Sequence, residues 1–263
     1  MESDLVSMSE YPFPIKVSAG FEDVARRASL LCMSAKERLD NLFQFSPTIT
    51  LYVLSEKDWE NYSFGPVYGM PHYSARRIIM AAEKAGFWKK MIQLIQEDEP
   101  QNTEILRTVY ADASGDIDLS AFFSVLTIHE LGHAYHAQLP FQFPRLWLQE
   151  TFANLCNHVC IALDHPELLE ILTMFPDVIS QVDPKEFEYR TWNEFEENYE
   201  LMSPINYGWY QGRLKGVAVK IYNHLGEESV ARLWNTFALR DKELFEIIDS
   251  GVCEELSKHL LES

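Results

Sequence analysis

The spacing of hydrophobic positions changes along this chain, from a mixture of helical and strand-like patterns to an almost wholly helical one. Apolar residues recur at helical spacing over residues 21–45, which predicts a long amphipathic helix. Residues 47–54 and 75–83 are rich in apolar side chains, many of them β-branched, and predict strands. The other early segments are predicted to be helices at 55–62 and 86–98, a loop at 64–74 and a connector at 99–104.

After residue 112 the pattern is helical with one marked interruption. A turn offers Asp118 and Ser120 as N-caps for a helix over 121–138, which ends before Pro140. A proline-marked connector at 140–147 follows. Six further helices are predicted, at 148–164, 167–181, 185–201, 209–225, 227–239 and 241–261.

This order of elements predicts an α+β fold. A small N-terminal sheet precedes a mainly helical region, and strands and helices that are segregated in this way are typical of that class. We expect an N-terminal α/β subdomain over residues 1–140 and a C-terminal helical subdomain over 141–263.

The charge balance limits the possible partners. The chain has 40 Asp and Glu against 22 Lys and Arg, a net charge of −18. Such a chain repels nucleic acid and anionic membrane surfaces, and no dense basic patch interrupts the acidic pattern. No run of about 18 apolar residues is present that could span a membrane. We therefore expect neither a nucleic-acid partner nor a membrane partner.

The N-terminus and the cysteines favour a cytoplasmic location. The segment MESDLVSMSE lacks the basic and apolar regions of a signal peptide. Cys32, Cys156, Cys160 and Cys253 have the spacing of neither a C-x-x-C motif nor a dense disulfide framework. Cys156 and Cys160 share a helix face, but a zinc site there needs two further ligands. We therefore interpret these cysteines as buried thiols in a reducing compartment.

The segment IHELGHAYH, residues 128–136, concentrates polar groups in an otherwise apolar helix. His129 and His133 are four residues apart, so both imidazoles reach one point on one helix face. Glu130 is rotated about 100 degrees from them, which suits a base acting on a metal-bound water rather than a ligand. This is the H-E-x-x-H pattern of zinc metalloproteases. The alternative is a pair of core histidines satisfied by hydrogen bonds.

A third ligand is needed to complete such a site. The metzincin pattern requires His at position 139, where this chain has Leu. His136 is too close to His133 to be the third ligand, and we interpret it as a surface histidine or one that holds a ligand in place. Glu150, separated from His133 by 16 residues, follows the proline-marked connector and is the better candidate. Asn154, one turn later, is predicted to orient a ligating histidine.

Glu150 has an alternative interpretation, and the glycine in the histidine helix needs an explanation. Glu150 can also be an acid near a helix start, where the helix dipole favours negative charge. Gly132, in the middle of the helix, costs about 1 kcal/mol relative to alanine. That glycine is explained if another backbone, that of the Glu150 helix, packs closely against it.

The two segments HELGH and WLQETFAN together resemble the gluzincin metallopeptidases, and the aminopeptidase N and leukotriene hydrolase group in particular. The second motif of that group reads W-L-N-E-G-F-A, and this chain departs from it at Gln149 and Thr151. The interval between the motifs is also shorter here. The resemblance implies one zinc ion per chain and a thermolysin-like architecture. It implies that His129, His133 and Glu150 are the zinc ligands. It also implies that Glu130 is the general base.

Two further features of that group map less directly. Its oxyanion-stabilising tyrosine begins a helix that ends at glycine, and here Tyr207 and Tyr210 are the candidates before Gly226. Its G-x-M-E-N segment holds the substrate amino terminus with an acid. The nearest segment here, YGMPH at 68–72, has no acid at that place. This stretch, or the strand after it, is expected to offer an edge to an extended peptide.

The sequence therefore predicts a zinc-dependent metallopeptidase that hydrolyses a peptide or protein substrate, with Glu130 as general base. Two alternatives stay open: a zinc hydrolase acting on a non-peptide substrate, because the site does not fix the substrate, and a catalytically inactive zinc-site binding protein. The intact Glu130 argues against the second, because a purely structural zinc site needs no base.

Overall fold

A five-stranded sheet forms one layer of the molecule. The computed structural model describes residues 5–63, 67–139, 143 and 145–238. The strands are β1 (Val6–Met8), β2 (Ile15–Val17), β3 (Thr50–Leu54), β4 (His72–Ser74) and β5 (Arg77–Ala81). Their order in the sheet is β1-β2-β3-β5-β4, with β2, β3 and β5 parallel and the two outer strands antiparallel to their neighbours. β4 is therefore an edge strand.

Eleven α-helices make up most of the rest of the described chain. The first five are α1 (Glu22–Phe43), α2 (Glu56–Tyr62), α3 (Gly86–Asp98), α4 (Pro100–Tyr110) and α5 (Ser120–Val125). The other six are α6 (Thr127–Ala137), α7 (Leu146–Asp164), α8 (Leu169–Ile179), α9 (Trp192–Asn198), α10 (Pro204–Leu225) and α11 (Ser229–Ala238). The strands all precede residue 82 and helices dominate afterwards, which confirms the predicted α+β class. None of these helices combines the length and apolar character that a membrane-spanning segment requires.

The helix predictions were wrong in two places and incomplete in others. The supposed connector at 99–104 lies mostly in α4, because Pro100 occupies the first helical position, where its missing N–H is not needed. The predicted helix at 185–201 is instead a short turn followed by α9, which begins with a capping box between Thr191 and Glu194. The predicted helix at 121–138 is divided at Leu126 into α5 and α6. The predicted helix at 241–261 and the predicted subdomain boundary at 140/141 lie outside the described residues.

The main hydrophobic core joins the sheet to the helices. One buried cluster contains apolar residues of the strands β2, β3 and β5 and of the helices α6, α7 and α8. α6 contacts the strands β4 and β5 and also the helices α1 and α7. The segment with three histidines thus occupies the centre of the fold, where each polar group needs a partner.

Candidate metal centre

The helix α6 is buried around almost its whole circumference. Every residue from Thr127 to His136 is buried, including three histidines and one glutamate. α7 is equally enclosed, and Glu150 on its second turn is only 1 % exposed. Charged or hydrogen-bonding groups at such depth are stable only when paired or bound to a metal.

Three of these buried side chains converge on one point. The Nε2 atoms of His129 and His133 lie 3.0 Å apart, and Glu150 Oε2 lies 3.2 Å from the first and 3.3 Å from the second. Four-coordinate zinc with bonds of about 2.0–2.1 Å separates its ligand atoms by about 3.3 Å. Within the part of the chain that the structure describes, this trio is the group that could hold a metal ion. Two imidazoles and one carboxylate form a donor set that suits zinc.

The close packing of α6 on α7 brings the three ligand candidates together. A Cβ atom added to Gly132 would lie 2.9 Å from the Cα of Ala153 and 3.3 Å from its Cβ. The glycine is therefore needed for close approach to the Glu150 helix, as the sequence predicted. A larger residue at 132 would push Glu150 away from the histidine pair.

The electrostatics of the trio favour a cation between its members. Burial alone would raise the pKa of Glu150, but the two neighbouring imidazoles hold it well below its ordinary value. Burial would lower the pKa of His133, but the Glu150 carboxylate raises it to about 8. The carboxylate is thus ionised in the core and attracts positive charge, which either a proton on an imidazole or a divalent cation can supply.

Glu130 lies beside this trio and faces an apolar cavity. Burial raises the pKa of its carboxyl group, while the neighbouring imidazoles of His129 and His133 and, to a smaller extent, the backbone of Tyr73 on β4 oppose that effect. Glu130 and His129 both line the cavity, which has a volume of about 80 Å³. We call it the central cavity; its apolar wall includes Phe122, Phe123, Leu126, Leu172, Phe175 and Ile179. A carboxyl group with a raised pKa at the edge of an apolar space is well suited to accept and return a proton.

Two residues that the sequence did not identify hold the Glu150 carboxylate. The hydroxyl of Tyr199 donates to Glu150 Oε1 at 2.6 Å, and Nε2 of Gln211 donates to Oε2 at 2.8 Å. Gln211 and Tyr207 are four residues apart on α10, so a helical-spacing argument could have linked them. No sequence signal links Tyr199, in a short turn before α10, to a carboxylate 49 residues earlier.

The structure separates the two tyrosine candidates. Tyr207 lines the central cavity, and its hydroxyl accepts a hydrogen bond of 2.7 Å from Gln211. Tyr210 instead points into the core beside Trp192 and its hydroxyl donates to the backbone oxygen of Thr191 at 2.7 Å. Tyr210 therefore does not face the cavity. Three residues are less than one full helix turn, so its side chain points in a different direction from that of Tyr207.

The role expected for Asn154 needs revision, and of the two roles expected for His136 the structure favours the one that holds a neighbouring histidine in place. The Asn154 amide nitrogen donates to the backbone oxygen of Glu150 and to Gln211 Oε1, so it braces the carboxylate ligand rather than a histidine. His136 is buried, and its Nε2 lies 2.9 Å from Nδ1 of His133. A proton on that Nδ1 leaves the opposite nitrogen of His133 free to bind a metal.

The three cysteines that the structure describes take no part in this centre. Cys32, Cys156 and Cys160 are free, buried thiols, as predicted, and burial raises their pKa values. Cys253 lies outside the described residues.

In comparisons with known proteins, neither a protein-family model nor a curated protein matches this chain.

Proposed function

We propose that this protein is a zinc metallopeptidase of the gluzincin type with a thermolysin-like catalytic domain. The observation that carries the proposal is the convergence of His129, His133 and Glu150 on one point, with Glu130 beside them at the rim of an apolar cavity. A purely structural zinc site is usually closed by four protein ligands, whereas a catalytic site keeps a position open. Three protein ligands and an adjacent carboxyl group fit the catalytic type.

The chemistry divides between the metal and Glu130. Bound zinc would lower the pKa of water toward about 7 and polarise the substrate carbonyl. Glu130 takes the proton from the attacking water and delivers it to the amine that leaves. Its burial, which raises its pKa, makes the carboxylate a stronger base than an exposed glutamate.

Other residues hold this arrangement and stabilise charge. Tyr199 and Gln211 fix the Glu150 carboxylate from two directions, so that it presents Oε2 to the histidine pair. Tyr207 lines the cavity and is the better placed of the two tyrosines to donate a hydrogen bond to the oxyanion.

The sheet edge supports a peptide as substrate. β4 is an edge strand that packs against α6, and the backbone of Tyr73 on β4 lies near the Glu130 carboxyl group. An extended peptide that adds to such an edge would bring its backbone carbonyls past the centre in regular register. A substrate that is not a peptide gains nothing from this edge.

Metal content tests the proposed centre. Elemental analysis of the purified, zinc-supplied protein should give about one zinc per chain, and Glu150→Ala should lose it. Glu130→Gln is the matched control, because it changes a neighbouring buried carboxyl group and should retain zinc. The absence of zinc from the wild-type protein after zinc is supplied would contradict the proposal.

Peptide hydrolysis tests the activity. A mixed peptide library digested by the zinc-loaded wild type should yield defined cleavage products, and Glu130→Gln should yield none. Zinc binding without cleavage of any library member would instead favour a non-peptide substrate or a binding protein. Full activity of Glu130→Gln would overturn its role as the base.

A further inference from the structure

The central cavity is also lined by an amine for which the metal centre provides no explanation. Lys215 lines the cavity and is 1 % exposed, yet its ammonium nitrogen has no hydrogen-bond partner in the described chain. Lysine is almost never fully buried without a partner. An unpaired amine in an apolar wall is costly, so it indicates a binding role.

The position of Lys215 relates it to the metal centre. Tyr207, Gln211 and Lys215 recur every four residues on α10 and share one helix face. At 1.5 Å per residue, Lys215 lies about 12 Å along the helix from Tyr207. The cavity thus has the metal centre at one end, an apolar wall and a single amine at the other.

The described surroundings of Lys215 leave its amine without a hydrogen-bond partner. Asp177 on α8 is the acid that acts on it electrostatically, and His158 on α7 is a neighbouring basic group. Neither bonds to it within the described chain. Burial lowers the pKa of Lys215 to about 7, with Asp177 opposing this effect. An incoming anion would favour the charged amine and supply the missing partner.

We propose that Lys215 is a specificity-determining residue that binds a carboxylate of the substrate at the end of the central cavity. The preferred substrate then presents an apolar stem that ends in a carboxylate, from either an acidic side chain or a peptide C-terminus. The cavity volume of about 80 Å³ admits such a group but no folded segment. As a statement about substrate selection, this inference rests on the proposed hydrolase function.

Binding of small probes tests the amine without any need for hydrolysis. Hexanoate and hexanamide share an apolar stem and differ in the group that would meet Lys215. In isothermal titration calorimetry at pH 6.5, the wild type should bind hexanoate about tenfold to a hundredfold more tightly than hexanamide, as expected for a hydrogen bond to a charged group. Lys215→Met should remove that preference, while Lys220→Met, at an exposed lysine on the same helix, should keep it.

The controls separate the possible failures. A carboxylate that binds the metal instead would keep its preference in Lys215→Met, which would overturn the proposal. Equal affinity of the wild type for both probes, including no binding of either, would also overturn it. If hexanoate preference depends on Lys215 but no peptide is cleaved, the carboxylate site stands and the peptidase proposal fails.

Peptides then identify the source of the carboxylate. For the active enzyme, free-acid and C-terminally amidated peptides form one pair, and peptides with Glu or Gln near the cleaved bond form another. In one of the two pairs the wild type should prefer the peptide with the carboxylate. Lys215→Met should lower kcat/KM for that peptide by about tenfold or more. An unchanged kcat/KM ratio in both pairs would show that Lys215 does not select the substrate.

Discussion

The close contact at Gly132 makes a sharp prediction about how stability and metal binding are connected. Gly132→Ala adds one methyl group in the middle of α6, where alanine normally stabilises a helix by about 1 kcal/mol relative to glycine. Here the new carbon would lie 2.9 Å from the Cα of Ala153, closer than carbon atoms pack. That neighbour is backbone, which cannot rotate away, so the two helices must separate.

The size of the effect follows from two opposing terms. Overpacking of a well-filled core costs about 1–3 kcal/mol, which outweighs the gain in helix propensity and leaves a net loss of up to about 2 kcal/mol. Gly216→Ala is the matched control, because nothing lies within 4 Å of the added carbon in α10. That variant should be more stable than the wild type by about 1 kcal/mol.

Urea denaturation and zinc titration measure the two consequences. Gly132→Ala should unfold at lower urea than the wild type and bind zinc more weakly, because Glu150 moves with α7. Gly216→Ala should unfold at higher urea with unchanged zinc affinity. If Gly132→Ala proves as stable as Gly216→Ala and binds zinc normally, the reasoning that glycine is required for the approach of these helices is wrong.

Four further substitutions test individual residues of the site. Tyr199→Phe removes the hydrogen bond to Glu150 and should weaken zinc binding about 10- to 100-fold in a competition titration, with the fold retained by circular dichroism. Tyr207→Phe should lower kcat about 10²- to 10³-fold at unchanged zinc content, whereas Tyr210→Phe should leave kcat near the wild-type value; equal losses in both would refute the assignment. Lys215 is charged below pH 10.5 in the unfolded chain but only below about pH 7 in the folded protein, so wild-type stability rises with pH across this window. Lys215→Met should therefore stabilise the protein, by about 2 kcal/mol more at pH 7 than at pH 9 in denaturant titrations; a gain independent of pH would contradict the burial of a neutral amine.

The sequence determined those features of the protein that depend on one element at a time. The period of an α-helix converts the spacing of His129 and His133 into a shared face, so the candidate ligand pair could be recognised without a structure. The same period, with the energetic cost of a mid-helix glycine, predicted a close neighbour at Gly132. Segregated strand and helix patterns were sufficient for the α+β class. The prediction of a connector at 99–104 failed at Pro100. Proline interrupts the interior of a helix, but it is acceptable at the first position of a helix.

The tertiary structure decided everything that depends on contacts between elements. Tyr199 and Gln211 meet Glu150 across 49 and 61 residues of sequence, and the packing of α7 and α10 brings them there. The choice between Tyr207 and Tyr210 depends on how α10 is rotated against the cavity, which its apolar pattern alone leaves open. Lys215 reads as an ordinary polar residue in the sequence. Its burial results from the enclosure of α10 by neighbouring helices. The spacing of residues in the sequence determines only the relative directions of side chains on one helix. Which groups surround those side chains depends on the packing between helices.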